Sequence, residues 1–196
     1  FTTDGHMCID TPYCAIERLL PHIAFHYEIE GYEFWGIDWL SDYDPWKFGW
    51  HSTVTLTFNP EDPLHSVIYP NGDGYLVYPG APAGHDRAVS TIRLAQAREG
   101  VEDHALLGLL QEKIAEARTA NLNVGQAEEA ARAIRNLVSI PGPSGRWSTE
   151  LLPSPEALYE ARRRVGEAIE SIDYALGRRI GPSRESIRRF PQRDSP

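Results

Sequence analysis

The chain has 196 residues, 41% hydrophobic and 24% charged, enough to bury one good core or two small ones and too apolar for general disorder. No run of about 18 apolar residues occurs, so nothing in it reads as a bilayer span. A formal charge of -9 argues against a nucleic-acid binder, and two cysteines exclude a disulfide-dense scaffold or a Cys-rich metal cluster.

The composition is lopsided about Gly80. Residues 1–80 hold 16 of the 20 aromatics and five of the seven histidines, with Arg18 and Lys47 as the only cations against 12 acids. Residues 81–196 carry 17 cations and 16 acids, the composition of amphipathic helices with solvated, mixed-charge faces. The sequence starts at Phe1 with neither a basic n-region nor an apolar h-region, so it shows no targeting signal and reads as processed or as beginning inside a larger protein.

In chain order, Thr11-Pro12 opens a helix with Ile16, Leu19, Leu20, Ile23, Ala24 and Tyr27 on one face. Pro21 inside it predicts a kink or restart, and Gly31 is expected to end it. A strand is predicted over 32–39, apolar on both faces as in a covered α/β layer. Residues 40–73 form a long connection rich in Asp, Pro and Trp, with a short strand expected at 53–58. Asn71, Gly72, Asp73 and Gly74 signal a turn into a strand at 75–78, which Pro79-Gly80 ends.

From Val89 the pattern is helical. One helix is predicted over 89–98 with a break at Gly100, a second to about Arg118 with Leu106, Leu107, Leu109, Leu110 and Ile114 as its stripe, and a third over 126–139. Ser154-Pro155 caps a fourth, which places Leu158, Ala161, Val165, Ile169, Ile172 and Leu176 at alternating three- and four-residue steps. Residues 181–196, rich in Arg, Ser and Pro, read as a disordered tail.

Four tryptophans carry the chemical interest. Trp35 and Trp39 share a strand face, and Trp46 and Trp50 follow in the next connection beside Asp38, Asp42 and Asp44. Flat rings next to carboxylates suit sugars, whose C–H faces stack on indole while the acids accept hydroxyl protons. Core filling is the competing role for any single ring. Acids abound in residues 1–80, but spacing alone selects no catalytic pair. His22 and His26, four apart, suggest a two-ligand metal face, yet two half-exposed helix histidines are the simpler reading. The 71–74 turn is not a calcium loop, since Tyr69 stands where the first Asp belongs and Gly80 where the closing Glu belongs. Cys8 and Cys14 are equally open to pairing or to remaining free thiols. No cofactor fingerprint occurs, and no metal or cofactor is expected. Around Gly100, the residues Arg93, Arg98, Glu99, Glu102 and Asp103 predict an ion-pair network that locks neighbouring elements.

Two stretches then act together. One runs through Asp10, Arg18, Pro21, His22, His26 and Tyr27 to Gly31, Tyr32 and Trp35. The other runs from Asn71 through Tyr78, Pro79 and Gly80 to Ser90, Arg93, Arg98, Gly100, Glu102 and Asp103. In order and spacing, with Asp44-Pro45-Trp46 between them, they resemble the C-terminal third of the catalytic domain of glycoside hydrolase family 123 and its DUF4091 relatives, over about residues 1–115. The resemblance implies an α/β fold: the C-terminal portion of a (β/α)8 barrel (1–115), followed by an α-helical extension (116–180) and the tail. It puts Trp35, Asp38, Trp39 and Trp46 on a sugar subsite, at the C-terminal ends of barrel strands. It also implies substrate-assisted cleavage of N-acetylhexosamine glycans, in an extracellular or periplasmic setting. The family's catalytic pair is an adjacent Asp-Glu on an earlier strand, and no Asp-Glu dipeptide occurs in these 196 residues. No catalytic residue is therefore carried over. A barrel of this kind takes about 250 residues, so the chain reads as incomplete, and its partners are expected to be a glycan and either a complementing segment or a second copy. The alternative class is a non-catalytic carbohydrate-binding or helical assembly protein.

Overall fold

The computed structural model describes residues 15–32, 36–37, 46, 53–55, 66–68, 74–140 and 154–178. They are mostly helical. The elements are α1 (Ala15–His26), β1 (Thr53–Thr55), β2 (Ser66–Ile68), β3 (Val77–Tyr78), β4 (Val89–Ser90), α2 (Ile92–Thr119), α3 (Gly125–Val138) and α4 (Pro155–Ala175). The described strands form two antiparallel pairs: β1 with β2, and β3 with β4 in the register Val77 opposite Ser90 and Tyr78 opposite Val89. No helix among the described residues is long and apolar enough to cross a membrane.

Several expectations change. Val89 and Ser90 belong to a strand, not a helix. Gly100 does not break the following helix, because α2 continues through it for 28 residues. Pro21 does not restart α1, which is assigned as one helix from Ala15 to His26. α1 ends at His26 rather than at Gly31: Glu28 takes the left-handed conformation at φ 54°, and the Ile29 N–H donates to Ala24 O at 2.8 Å. Of the strand expected over 32–39, Tyr32, Gly36 and Ile37 are described and none is in a strand. The strand expected at 53–58 is seen at 53–55. Cys8, Cys14 and the 181–196 tail lie outside the described residues.

The helical core follows the apolar periods. Leu107, Leu110, Ile114 and Ala117 of α2 pack with Ala127, Ala130 and Ile134 of α3 and with Ala161, Val165, Ala168, Ile169 and Ile172 of α4. A smaller cluster of Leu19 and Ile23 from α1, Val138 from α3 and Leu158 from α4 adjoins it. The alanines set the close helix spacing, since small side chains let the ridges of one helix settle into the grooves of the next. Around this core, Lys113 Nζ meets Asp173 Oδ1 at 2.5 Å and ties α2 to α4. On the outer face of α4, hydrogen bonds from Arg163 and Arg164 hold the Glu160 carboxyl down to about 2.

The cap of α4 is legible in the sequence, whereas Thr91 falls inside the helix expected over 89–98 and caps α2 instead. Ser154 accepts from Ala157 N at the start of α4, with Pro155 in the first turn. At the start of α2 the Thr91 hydroxyl accepts from Leu94 N and donates to Leu76 O at 2.7 Å, so one side chain both caps the helix and fixes it to the residue that leads into β3. α2 closes on Asn121 at φ 57°, with Leu122 N donating to Ala117 O and Asn121 N to Arg118 O. These are the paired bonds that satisfy the last carbonyls of a helix ending in a left-handed residue.

Gly100 explains itself at the crossing of α1 and α2. A Cβ there would lie 2.5 Å from Arg18 O, 3.0 Å from Pro21 Cγ and 3.1 Å from Pro21 Cδ. Glycine thus lets α2 touch the α1 backbone at the turn where Pro21 already lacks an N–H. At Gly108 on the same helix a Cβ would meet nothing within 4 Å. Helix propensity alone favours alanine at both positions by roughly 0.5–1 kcal/mol. The expected outcome is opposite signs. Gly108→Ala raises stability by about that amount and Gly100→Ala lowers it by about 1–3 kcal/mol through overpacking, both read from urea unfolding.

Candidate functional site

The site grows from the N-terminal end of α2 and the strand before it. Arg93, one turn into α2, is buried and sends Nε to Tyr75 O at 2.5 Å and Nη2 to Tyr78 Oη at 3.1 Å. Its Cζ lies 5.4 Å from the centre of the Tyr78 ring. Tyr75, also buried, meets Tyr78 edge-on at 5.9 Å and 81°. Tyr78 in turn meets Trp46 edge-on at 5.3 Å and 72°. The Trp46 Nε1–H donates to Pro79 O at 2.6 Å, and the residue stays 43% exposed. These contacts make a stack from the helix outward: guanidinium, phenol, indole, solvent.

The loop after Pro79 keeps this edge open. It turns through a short helical segment at Ala81–Ala83, and residues 81–88 are all exposed. Gly80 is required at its base, where a Cβ would fall 1.8 Å from Arg87 O. Of the sugar-subsite candidates, Trp46 lies in this stack, and Trp35, Asp38 and Trp39 lie outside the described residues. Gly36 and Ile37, between Trp35 and Asp38 in sequence, run beside the same strand: Ile37 O accepts from Leu76 N at 2.8 Å and from Val77 N at 3.3 Å.

A second polar assembly lies deeper, where α1, α2 and α4 meet. Asp103 is 2% exposed, and Arg18 Nε donates to its Oδ2 at 2.7 Å. Arg162 Nε sits 2.6 Å from Oδ1, an ion contact without hydrogen-bond alignment. Arg18 also reaches Glu99 at 3.5 Å, and Glu99 contacts Arg98, which pairs with Glu102 at 3.8 Å on the exposed side. Of the five residues expected to form one network, Arg98, Glu99, Glu102 and Asp103 are therefore linked, with Arg18 joining Glu99 to Asp103. Arg93 faces the tyrosines instead. Two charges taken out of water need close opposite partners, and at Asp103 two arginines supply them.

His22 belongs to this assembly and is buried, not half-exposed. Its Nδ1 donates to Arg18 O at 3.1 Å, because a carbonyl can only accept. Its Nε2 lies 3.5 Å from Asp103 Oδ2. Burial pushes the imidazole below its usual range, against the pull of the Asp103 carboxylate. His26 turns elsewhere, with Nε2 3.3 Å from Ser139 Oγ and its ring on Tyr27. The two histidines thus have separate partners.

With this geometry in view, comparison with known families is decisive. The glycoside hydrolase 123 catalytic-domain model matches residues 10–110, just over half of the chain. The chain belongs to this family. No curated protein matches it. The glycoside hydrolase 123 match takes in α1, all four described strands and the first two-thirds of α2, and with them both polar assemblies except Arg162. Arg162 comes from α4, beyond the match, and still meets a carboxylate inside it.

Sequence reading missed Tyr78 and the partners Arg18, His22 and Arg162. Tyr78 carried a signal, since it directly precedes the Pro79-Gly80 turn. A lone arginine on an apolar helix face marks Arg18 too. Nothing local points from Arg162 to Asp103, 59 residues away.

The buried histidine sets a pH dependence. Unfolded, His22 titrates near its usual 6.5, while folding holds it lower. Below about pH 6.5 the unfolded chain therefore carries the extra proton, and stability that is complete above that point is lost as pH falls toward the folded value. The slope for one proton is at most about 1.4 kcal/mol per pH unit. Urea midpoints at pH 7.5 and 5.5 are expected to drop in the native chain, with a smaller drop in His22→Gln.

Proposed function

We propose that this chain supplies part of the substrate wall of a glycoside hydrolase that acts on or binds N-acetylhexosamine-containing glycans. The observation that carries this reading is Trp46: a family member of this class holds an indole half-open to solvent, fixed by its N–H on Pro79 O and braced edge-on by Tyr78. Buried aromatics fill cores, but an exposed ring held in place presents a stacking surface for the C–H face of a sugar. On this reading Trp35, Asp38 and Trp39 extend the wall, and Asp38 accepts hydroxyl protons. Residues 1–115 are the closing part of a (β/α)8 barrel, and 116–180 are a helical extension that shares the core of α2. The acid chemistry belongs to an adjacent Asp-Glu pair not found in these residues, so the part played by this chain is binding and orientation. A complementing segment or self-association completes the sheet.

The reading predicts that methyl β-N-acetylgalactosaminide quenches tryptophan emission and binds in calorimetry. Trp46→Ala is expected to weaken that binding by about tenfold or more while leaving the circular dichroism unchanged. Equal affinity in the two proteins removes the sugar-wall reading. Binding without turnover of an aryl N-acetylgalactosaminide, by a chain that runs on size exclusion as a folded monomer, favours a carbohydrate-binding module over an assembled enzyme.

A further inference from the structure

The contact between Arg93 and Tyr78 determines more than packing. A guanidinium has donors and no acceptor, so the 3.1 Å bond from Arg93 Nη2 must end on a lone pair of Tyr78 Oη. The phenolic proton is then directed away from Arg93. No acceptor for it is present among the described residues, where the bond from Arg93 is the hydrogen bond made at Tyr78 Oη. This phenol is half-buried, with its ring against the exposed indole of Trp46.

We propose that Tyr78 is a ligand-binding residue, its hydroxyl donating to an oxygen of a sugar stacked on Trp46, and that Arg93 is the positioning residue that fixes the direction of that proton. The inference rests on the sugar-wall reading and deepens it, by adding a polar donor to an aromatic platform. Arg93 is suited to the role because it is held twice. Nε is spent on Tyr75 O, and the helix that carries it is capped by Thr91 onto Leu76 O. The guanidinium therefore cannot swing away when a ligand arrives, and Tyr78 cannot turn its proton inward. A ring hydroxyl oxygen of the sugar (O3, O4 or O6) supplies the acceptor, and an aromatic ligand without such an oxygen gains only the stacking.

The test is a cycle of protein and ligand changes. Methyl β-N-acetylgalactosaminide and its 3-, 4- and 6-monodeoxy analogues are titrated into the native chain, Tyr78→Phe and Trp46→Ala. Phenylalanine keeps the ring against Trp46 and leaves Arg93 its bond to Tyr75 O, so the fold is expected to persist. In the native chain one deoxy analogue is expected to bind about tenfold more weakly than the parent. In Tyr78→Phe the parent should fall to the level of that analogue, and the difference between the two should vanish. A purely structural tyrosine would weaken all four ligands together. Unchanged parent-to-deoxy ratios in Tyr78→Phe, with Trp46→Ala still impaired, overturn the Tyr78 assignment and leave the sugar wall standing. No binding of any of the four to the native chain overturns the sugar wall itself. Should Tyr78→Phe fail to fold, the native chain alone decides: equal binding of the parent and all three deoxy analogues overturns the assignment.

Discussion

The structure turns on a carboxylate that must be kept charged inside a protein. Asp103 lies where α1, α2 and α4 converge, almost wholly shielded from water, and an isolated carboxylate there would be prohibitively expensive. Arg18 and Arg162 meet it from two different helices. Arg18 is buried as well and would itself be a costly charge without Asp103, while Arg162 reaches the carboxylate from a half-exposed position. The arrangement fixes which turn of α1 faces which turn of α2. Gly100 at the same crossing allows the backbones to approach. The ion pairs specify the register, while the apolar stripes of α2, α3 and α4 supply the bulk of the burial.

The same helix carries this constraint out to the candidate site. α2 is continuous from Ile92 to Thr119, so Arg93 near its start and Asp103 three turns further on belong to one stiff rod. Thr91 ties the start of the rod to the residue that leads into β3 and Tyr78. Displacing α2 would move Arg93, then Tyr78, then the ring that steadies Trp46. Arg162 extends this logic beyond the region matched by the family, since a helix outside that region closes the charge cluster within it. α4 is thus joined to the matched region by charge as well as by apolar contact.

How much was legible depended on range. The apolar periods marked α2, α3 and α4, and Ser154-Pro155 marked the start of α4 to the residue. The motifs around Pro21, Tyr78 and Gly100 identified the family, which the match over residues 10–110 shows. Local rules misled where tertiary contact overrode them. Gly100 reads as a helix breaker, but its role is to admit another backbone. Pro21 reads as a restart, but α1 continues through it against α2. Val89 and Ser90 directly precede the helical pattern in sequence and pair instead with Tyr78 and Val77. In the site, Trp46 was visible as an aromatic beside acids. Arg93 was seen as a charge near other charges, and its preference for tyrosines was hidden, because sequence proximity does not say which side of a helix a long side chain takes.

By itself the sequence determined the acidic, aromatic first part, the helical remainder, the cap of α4 and the family, because each of these is written in composition or in spacings of a few residues. Only the tertiary structure decided that Arg18 and Arg162 share one carboxylate, that His22 is buried, and that Arg93, Tyr78 and Trp46 form a single stack. Those outcomes join residues 15 to 85 positions apart, and their energies come from desolvation and close approach, which exist only once the chain has closed on itself.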